Sequence, residues 1–441
     1  MGTDDRGSRG DMRPLLDSTV PLLLRGYTWL PAKQRRTADG HGPGEAPPVR
    51  ARLLGRPAVF LSGPEAVSFF YDEQHVRRAG ALPDPVLDTL FGQGAVHTLD
   101  GDPHRARKAL FTGLLMEPEA VAELTDTVVQ HWRAAVERWP DRGRVTLFDE
   151  VAVVLAEAVC AWAGLPHTGR AAARTARDCV AMVDGFATPG PRHWRARRAR
   201  ARQERVLART VERARAKGAR GKVLQRVAGH RDADGELLPA RTAAVELLNI
   251  VRPTVALAWF VTFGAHALHR DPALREELRV AQEPSFERAF AHEVRRFYPF
   301  APFVGGLAVT DLTWRGEPIA AGSMVLLDLY GQNHDPGLWH EPYRFDPGRF
   351  LGRPPGRDEL VPQGGGDAHH GHRCPGEDIA VAVVGALCTE LARLEFEVPP
   401  EQDLRIPLHR MPTRPRSGFV IATGPRARTG SEVPAYDSLP S

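Results

Sequence analysis

Apolar and polar positions change period several times along this chain. Residues 49–62 read VRARLLGRPAVFLS, two short apolar runs around a Gly-Arg-Pro turn, which predicts a hairpin or small sheet. From Asp102 the pattern becomes helical: Asp102 is expected to cap and Pro103 to take the first helical position. Helical stretches dominate from 117 to 300, and residues 243–268 (AAVELLNIVRPTVALAWFVTFGAHAL) form one long apolar helix. Residues 308–329 return to short strands and turns, and residues 376–396 read as another long apolar helix. The predicted fold class is mainly α with a minor β-sheet, in a single large domain over residues 15–425. Residues 1–14 and 426–441, rich in Gly, Ser, Pro and charge, read as disordered tails.

Composition narrows the function classes. A net charge of +4 over 441 residues does not call for nucleic acid or membrane. The basic stretch 192–226 fits a solvated helix face, with Glu204 and Glu212 interleaved as partners, better than a nucleic-acid groove; residues 27–36 are also basic. Residues 1–13 lack the apolar core of a signal peptide and 20–24 is too short to span a bilayer, so no membrane anchor and a cytoplasmic setting are expected. The four cysteines are too scattered for a disulfide framework.

One cysteine stands apart. Residues 361–377 read VPQGGGDAHHGHRCPGE. The glycines would let the backbone pass close to a flat partner. Cys374 precedes Pro375, expected at the first position of the next helix, where the helix N-terminus favours a thiolate; Arg373 adds positive charge. That combination suits an axial ligand to heme iron. Cys160, Cys179 and Cys388 read as buried structural cysteines. A zinc site from His369, His370, His372 and Cys374 is disfavoured, because ligands so crowded cannot easily surround one ion.

With GHRCPGE stand Glu293 and Arg296 (HEVRRFYP), three residues apart on one helix face, and the loop FDPGRF at 345–350. In this order and spacing they resemble the cytochrome P450 superfamily over residues 16–423. Two departures refine the resemblance. The acid-alcohol pair usual in the long helix is replaced by Arg252-Pro253, and the usual Phe seven residues before the cysteine is Asp367. Arg252, Pro253 and Ala256, with the QGGG loop, are similar to the fatty-acid peroxygenase branch. The resemblance implies heme b, a fatty acid and hydrogen peroxide as substrates, and no obligatory redox partner.

Arg252 lies inside an apolar run beside a helix-kinking proline, two costly choices that suggest a site. The expected reading is a bidentate grip on a substrate carboxylate, with Ala256 one turn on leaving space above the iron; an ion pair with Glu246 is the competing one. The held carboxylate would serve as acid and base for peroxide, and oxidation at the alpha or beta carbon would give hydroxy acids or a terminal alkene. By resemblance, His97 and Phe91 (FGQGAVHTLDG) belong to the distal side, and His104, Lys108 and Arg78 bind the heme propionates. Phe300, Pro302 and Phe303 are expected in the substrate channel. The alternatives are a redox-partner-dependent monooxygenase acting on another carboxylic acid, a non-catalytic heme protein and a nucleic-acid binder.

Overall fold

The computed structural model describes residues 16–38, 47–281 and 283–423; the tails expected at 1–14 and 426–441 lie outside the described residues. The helices are α1 (Thr19–Arg25), α2 (Trp29–Ala38), α3 (Pro64–Tyr71), α4 (Asp84–Val86), α5 (Gly101–Leu115), α6 (Pro118–Val136), α7 (Leu147–Trp162) and α8 (Arg170–Gly185). They continue with α9 (Pro191–Lys217), α10 (Lys222–Gly229), α11 (Ala240–Arg270), α12 (Pro272–Val280), α13 (Pro284–Phe297), α14 (Leu329–Gln332) and α15 (Glu377–Arg393). The strands are β1 (Val49–Leu53), β2 (Arg56–Leu61), β3 (Val76–Arg77), β4 (Arg144–Thr146), β5 (Phe303–Ala308), β6 (Leu312–Trp314), β7 (Glu317–Ile319), β8 (Met324–Asp328) and β9 (Val420–Ala422). The expected mainly helical fold with a minor sheet is what forms.

The sequence hairpin is real: β1 and β2 pair antiparallel, Val49 opposite Phe60. It forms one edge of a mixed sheet ordered β1-β2-β8-β5-β3, in which β2 and β8 run parallel. The helical body is organised on α11, which is apolar all round and buried at almost every position from Ala243 to Leu268. It is long and apolar enough to cross a membrane, but 94% of that window is buried inside the protein, so core packing accounts for its apolarity. α7, α8, α9, α13 and α15 pack against it. Gly264 lets α15 come close, since a Cβ there would overlap Cys388 Sγ. All four cysteines are free, and burial pushes the Cys160 thiol up to about 12 and those of Cys179 and Cys388 higher still, as befits inert packing residues.

Some boundaries differ from expectation. α5 begins at Gly101, and Asp102 pairs with Arg105 at 2.7 Å instead of capping. The N-cap is Asp100, whose carboxylate is taken by the N–H groups of Arg78 (2.8 Å) and Ala79 (2.8 Å). α15 ends at Arg393, because the chain beyond it returns to a bridge in which Glu397 N–H donates to Ala422 O at 3.0 Å. α11 runs unbroken through Pro253, so the expected kink does not end the helix. On α9, Glu204 pairs with Arg200 at 2.7 Å, whereas Glu212 is exposed and makes no ion pair among the described residues.

The Glu293/Arg296 pair on α13 is fully buried and bidentate, both bonds 2.7 Å. Arg296 also donates to the carbonyls of Asn333 (2.8 Å), Pro342 (2.8 Å) and Arg344 (3.2 Å). Glu293 accepts from Asp346 N–H at 2.8 Å and pairs with Arg349 at 3.2 Å, so the FDPGRF loop is clamped to α13. Removing one partner leaves the other charge buried alone. Arg296→Ala is therefore expected to lose about 3–5 kcal/mol of stability, read as a depressed thermal midpoint and poor recovery of folded protein.

A second expectation concerns acid. His266 is buried on α11 with Nδ1 2.8 Å from the Tyr298 hydroxyl, and burial lowers its pKa from 6.5 to about 3. The unfolded chain binds this proton below 6.5 and the folded one does not until about 3. This group's stability contribution is therefore present above 6.5 and is lost as pH falls towards 3, at up to ~1.4 kcal/mol per pH unit. Thermal midpoints measured from pH 7 downward should fall less steeply in His266→Gln than in the parent.

Candidate active site

Cys374 precedes the N-cap of α15, Gly376, by two residues, so Pro375 lies just outside the helix rather than at its first position. Its N–H donates to Gln363 O at 3.2 Å, and Gln363 Nε2 lies 3.7 Å from Sγ. Arg295 holds that amide the right way round, donating to Gln363 Oε1 at 2.9 Å while pairing with Glu377. The amide's donor end is thereby left facing sulfur. Burial, the largest influence, pushes the Cys374 thiol above its ordinary range; the Gly376 N–H and Lys108 pull it back. The expectation that Arg373 supplies positive charge here is corrected: its guanidinium is spent on Glu377 (2.7 Å) and the Arg357 carbonyl (2.6 Å).

The glycines of this loop have a different reason from the one expected. Gly364 (φ +88°) and Gly366 (φ +74°) adopt left-handed backbone, and Cβ atoms at 364 and 365 would overlap Tyr71 and Val67 of α3. They seat the loop on α3. The segment beyond bulges outward, where Asp367 accepts from His369 N–H at 2.7 Å. The residue facing the cysteine is consequently Gln363, not the one at position 367.

Four basic side chains gather beside this loop. Arg78 is buried, stacks over Phe70 at 4.0 Å and donates to Gly305 O at 3.0 Å. His104 and His372 stack face to face at 3.8 Å, and Lys108, one turn after His104, donates to the Arg373 carbonyl. Burial lowers His104 to about 3 and Lys108 to about 8. His104 Nδ1 and His372 Nε2 are enclosed and unpartnered. Asp100, 3.6 Å from His372, is too far for a hydrogen bond and already serves two backbone N–H groups. Buried donors short of acceptors are what the propionates of heme b would satisfy, and a buried sulfur held by a backbone loop is what its iron requires. The donor set fits the group. The crowded zinc arrangement does not form: His369 and His370 are exposed, and His372 has turned to His104. His372 was read from sequence only as a zinc ligand; its stacking on His104 was not foreseeable from spacing.

Across α11 lies a second cluster. Arg107 takes the Glu246 carboxylate at 2.7 Å, both side chains almost fully buried, and also pairs with Asp232. Glu246 is therefore not the partner of Arg252. It accepts from Val96 N–H (2.8 Å) and Asn249 Nδ2 (3.2 Å) instead. Arg200, buried on α9, donates to the carbonyls of Leu90 and Phe91, and Asn249 also donates to Phe91 O at 3.0 Å. Gly92 (φ +90°) must be glycine because a Cβ would overlap Arg200 and Val245. This lattice fixes the turn carrying Phe91 and His97, whose rings lie 4.5 Å apart.

Arg252 projects into that arrangement almost unsatisfied. Its contacts are a long 3.5 Å bond to Asn249 Oδ1 and the Phe91 ring at 5.8 Å, and its Nε is enclosed without a partner. Burial, then Arg200, pushes it down to about 9. His97 has an enclosed, unpartnered Nδ1; burial, then Arg252, His372 and Lys108, drives its pKa well below 6.5, so it is neutral at pH 7. Arg252, Asn249, Phe91 and His97 thus form one cluster of α11 and the turn packed on it. Ala256 is buried one turn beyond Arg252. Phe300 packs on Phe260 at 5.0 Å, and Phe303 stands on β5 against Phe60 at 5.6 Å. Pro302 offers its carbonyl to the N–H groups of Leu329 and Tyr330.

A half-buried cysteine two residues ahead of a helix N-cap, beside a cradle of basic side chains, is the arrangement of a heme-thiolate protein. The comparisons agree. The Cytochrome P450 family profile matches residues 283–425. A solved structure of cytochrome P450SP alpha (CYP152B1) in complex with (R)-ibuprophen is 39% identical, covers 92% of this chain and 98% of that chain, and superposes with a TM-score of 0.87. Ligand-free cytochrome P450 OleT is 34% identical over 92% of this chain and 96% of that chain, also at 0.87. Cyclooctat-9-en-7-ol 5-monooxygenase of Streptomyces melanosporofaciens is 25% identical over 416 residues, 86% of each chain. The chain belongs to the cytochrome P450 family, in the fatty-acid peroxygenase branch that includes P450SP alpha and OleT, and is a heme-containing oxidoreductase.

If Lys108 and His104 hold the cofactor's carboxylates, each charge-assisted bond should contribute about 1.5–3 kcal/mol. Titration of apoprotein with hemin should find Lys108→Met and His104→Ala roughly 10- to 100-fold weaker than the parent. Equal affinity would remove them from the cradle.

Proposed function

We propose that this enzyme uses hydrogen peroxide to oxidise a fatty acid at its alpha or beta carbon, yielding hydroxy acids, a terminal alkene, or both. One observation carries the reading: Arg252 is a buried cation without a carboxylate, because Glu246 belongs to Arg107. A guanidinium left that way is stabilised by an anion that arrives from outside. Relatives in the same branch have been solved with (R)-ibuprophen and with arachidonic acid, both carboxylic acids, which supports an acid as the guest.

Cys374 would ligate the iron of heme b, and Arg78, His104, Lys108 and His372 would hold its propionates; the group would supply the oxidising chemistry. The polypeptide's part is positional. Arg252 grips the carboxylate in a planar fork, which fixes the first carbons of the chain and leaves the rest free to vary. Phe91 closes one side of the guanidinium, and the small side chain of Ala256 leaves room beside it. The hydroxyls of Thr254 and Thr262 bond back to the carbonyls of Ile250 (2.9 Å) and Ala258 (2.7 Å), so neither of these two threonines beyond Arg252 has its proton free for transfer. The guest's carboxylate takes over that task, accepting a proton from peroxide and returning it to the departing oxygen. His97, neutral and with an open ring nitrogen, can hold a hydrogen bond to either partner. The sums balance: acid plus peroxide gives hydroxy acid plus water, or alkene, carbon dioxide and two waters. No electron donor is needed.

The test is turnover of a long-chain acid with hydrogen peroxide and no reductase, with products read by mass spectrometry. Arg252→Ala should lose roughly 100-fold or more in kcat/KM, the cost of leaving a buried charge unpaired in the complex. A short carboxylic acid added to the unaltered enzyme should support oxidation of an uncharged substrate. Normal turnover of the long acid by Arg252→Ala would end the reading. Dependence on a reductase would favour a partner-driven monooxygenase.

A further inference from the structure

Arg252 has a counterpart. Arg414, in the C-terminal segment before β9, makes no hydrogen bond or ion pair among the described residues, and its NH1 is fully enclosed. It lies over the rings of Phe148 at 3.9 Å and Trp259 at 5.5 Å. Stacking satisfies the face of a guanidinium but leaves its N–H edge empty. Arg192 and Arg410 stand beside it, each paired with Asp184, Arg192 through its Nε at 3.4 Å. Asp184 is thus spoken for, and Asp149, the other acid acting on Arg414, is beyond ion-pair distance. Three guanidiniums face two acids, and the one deepest among aromatic rings has no anion.

The position of this group relative to Arg252 gives it meaning. Trp259 follows Arg252 by seven residues on α11, nearly the same face and about 10 Å along the axis. α8, which carries Asp184 beside the arginine group, packs against α11. Structural bracing accounts for Arg192 and Arg410 but not for Arg414, which braces nothing by hydrogen bond.

We propose that Arg414 receives a second carboxylate, at the far end of the acid whose first carboxylate sits on Arg252, so that the substrate class is the long-chain dicarboxylic acids. This rests on the reading of Arg252 given above. The experiment is calorimetric titration of the holoenzyme with a series of alpha,omega-diacids, their monomethyl esters and monoacids of matched length. At the best length the diacid should bind roughly 10-fold or more tightly than its monoester, one charge-assisted bidentate pair's worth. Arg414→Gln should abolish that preference and leave monoacid affinity within about twofold, while Arg414→Lys should retain part of it. Arg252→Ala should weaken diacid and monoacid alike; if it weakens neither, the clamp reading fails, whatever Arg414 does. Equal binding of diacid and monoester by the unaltered enzyme, which needs no variant to fold, would overturn the proposal. So would a diacid preference that survives in Arg414→Gln, or two monoacids bound per protein.

Discussion

The site turns on who owns the Glu246 carboxylate. It is the one acid in the apolar run of α11, and two arginines could claim it. Arg107 wins because it reaches in from α5 with a second acid, Asp232, to balance its own burial. Glu246 then also takes the Val96 N–H, so the same carboxylate that leaves Arg252 unpaired anchors the turn carrying His97. The unpaired state of Arg252 and the placement of the turn carrying His97 are therefore consequences of one ion pair. Breaking it would offer Arg252 an internal partner and release the turn together.

What the sequence makes legible follows from how contacts scale with separation. Glu293 and Arg296 are readable because a helix puts residues three apart side by side, and Cys374 because a glycine-rich loop leading into a helix has few other uses. Arg252 is legible as an anomaly, a charge where apolar packing is the rule. Its freedom from Glu246 is not, since six residues along a helix says nothing about a third residue arriving from α5. Gln363 is hidden for a related reason. The loop bulges by several residues after Gly366, so counting back from the cysteine lands on Asp367, which faces outward. Arg373 sits next to Cys374 in sequence, yet a charge four residues along at Glu377 attracts it more strongly than the sulfur can. The glycines are legible as a demand for backbone freedom, but the crowding that demands it comes from Tyr71 and Val67, some three hundred residues earlier.

The protein does not by itself make Cys374 a strong thiolate. Burial raises the thiol, and the Gly376 N–H, the Gln363 amide and Lys108 offset only part of that. The proton must leave when iron binds, the usual linkage between a thiolate ligand and its metal. The hydrogen bonds then have a different role from stabilising an isolated anion. They would draw charge from the sulfur once it ligates iron, and the Glu377–Arg295–Gln363 chain fixes the amide so that it donates in one orientation only.

Unpaired guanidiniums are a liability to folding. Arg252 and Arg414 lose hydration on folding without recovering an ion pair, and Arg200 adds repulsion at Arg252. The surrounding core must outweigh that loss, and α11 is buried along nearly its whole length and packed against seven other helices. The same argument makes the guest part of the fold's energetics. An acid present at 100 times its dissociation constant adds about 2.7 kcal/mol to the native state by mass action alone. On the proposed function, a polypeptide that keeps Arg252 buried and unpaired has deferred a stabilising contact to an acidic substrate, and affinity for that acid is the measure of what was deferred.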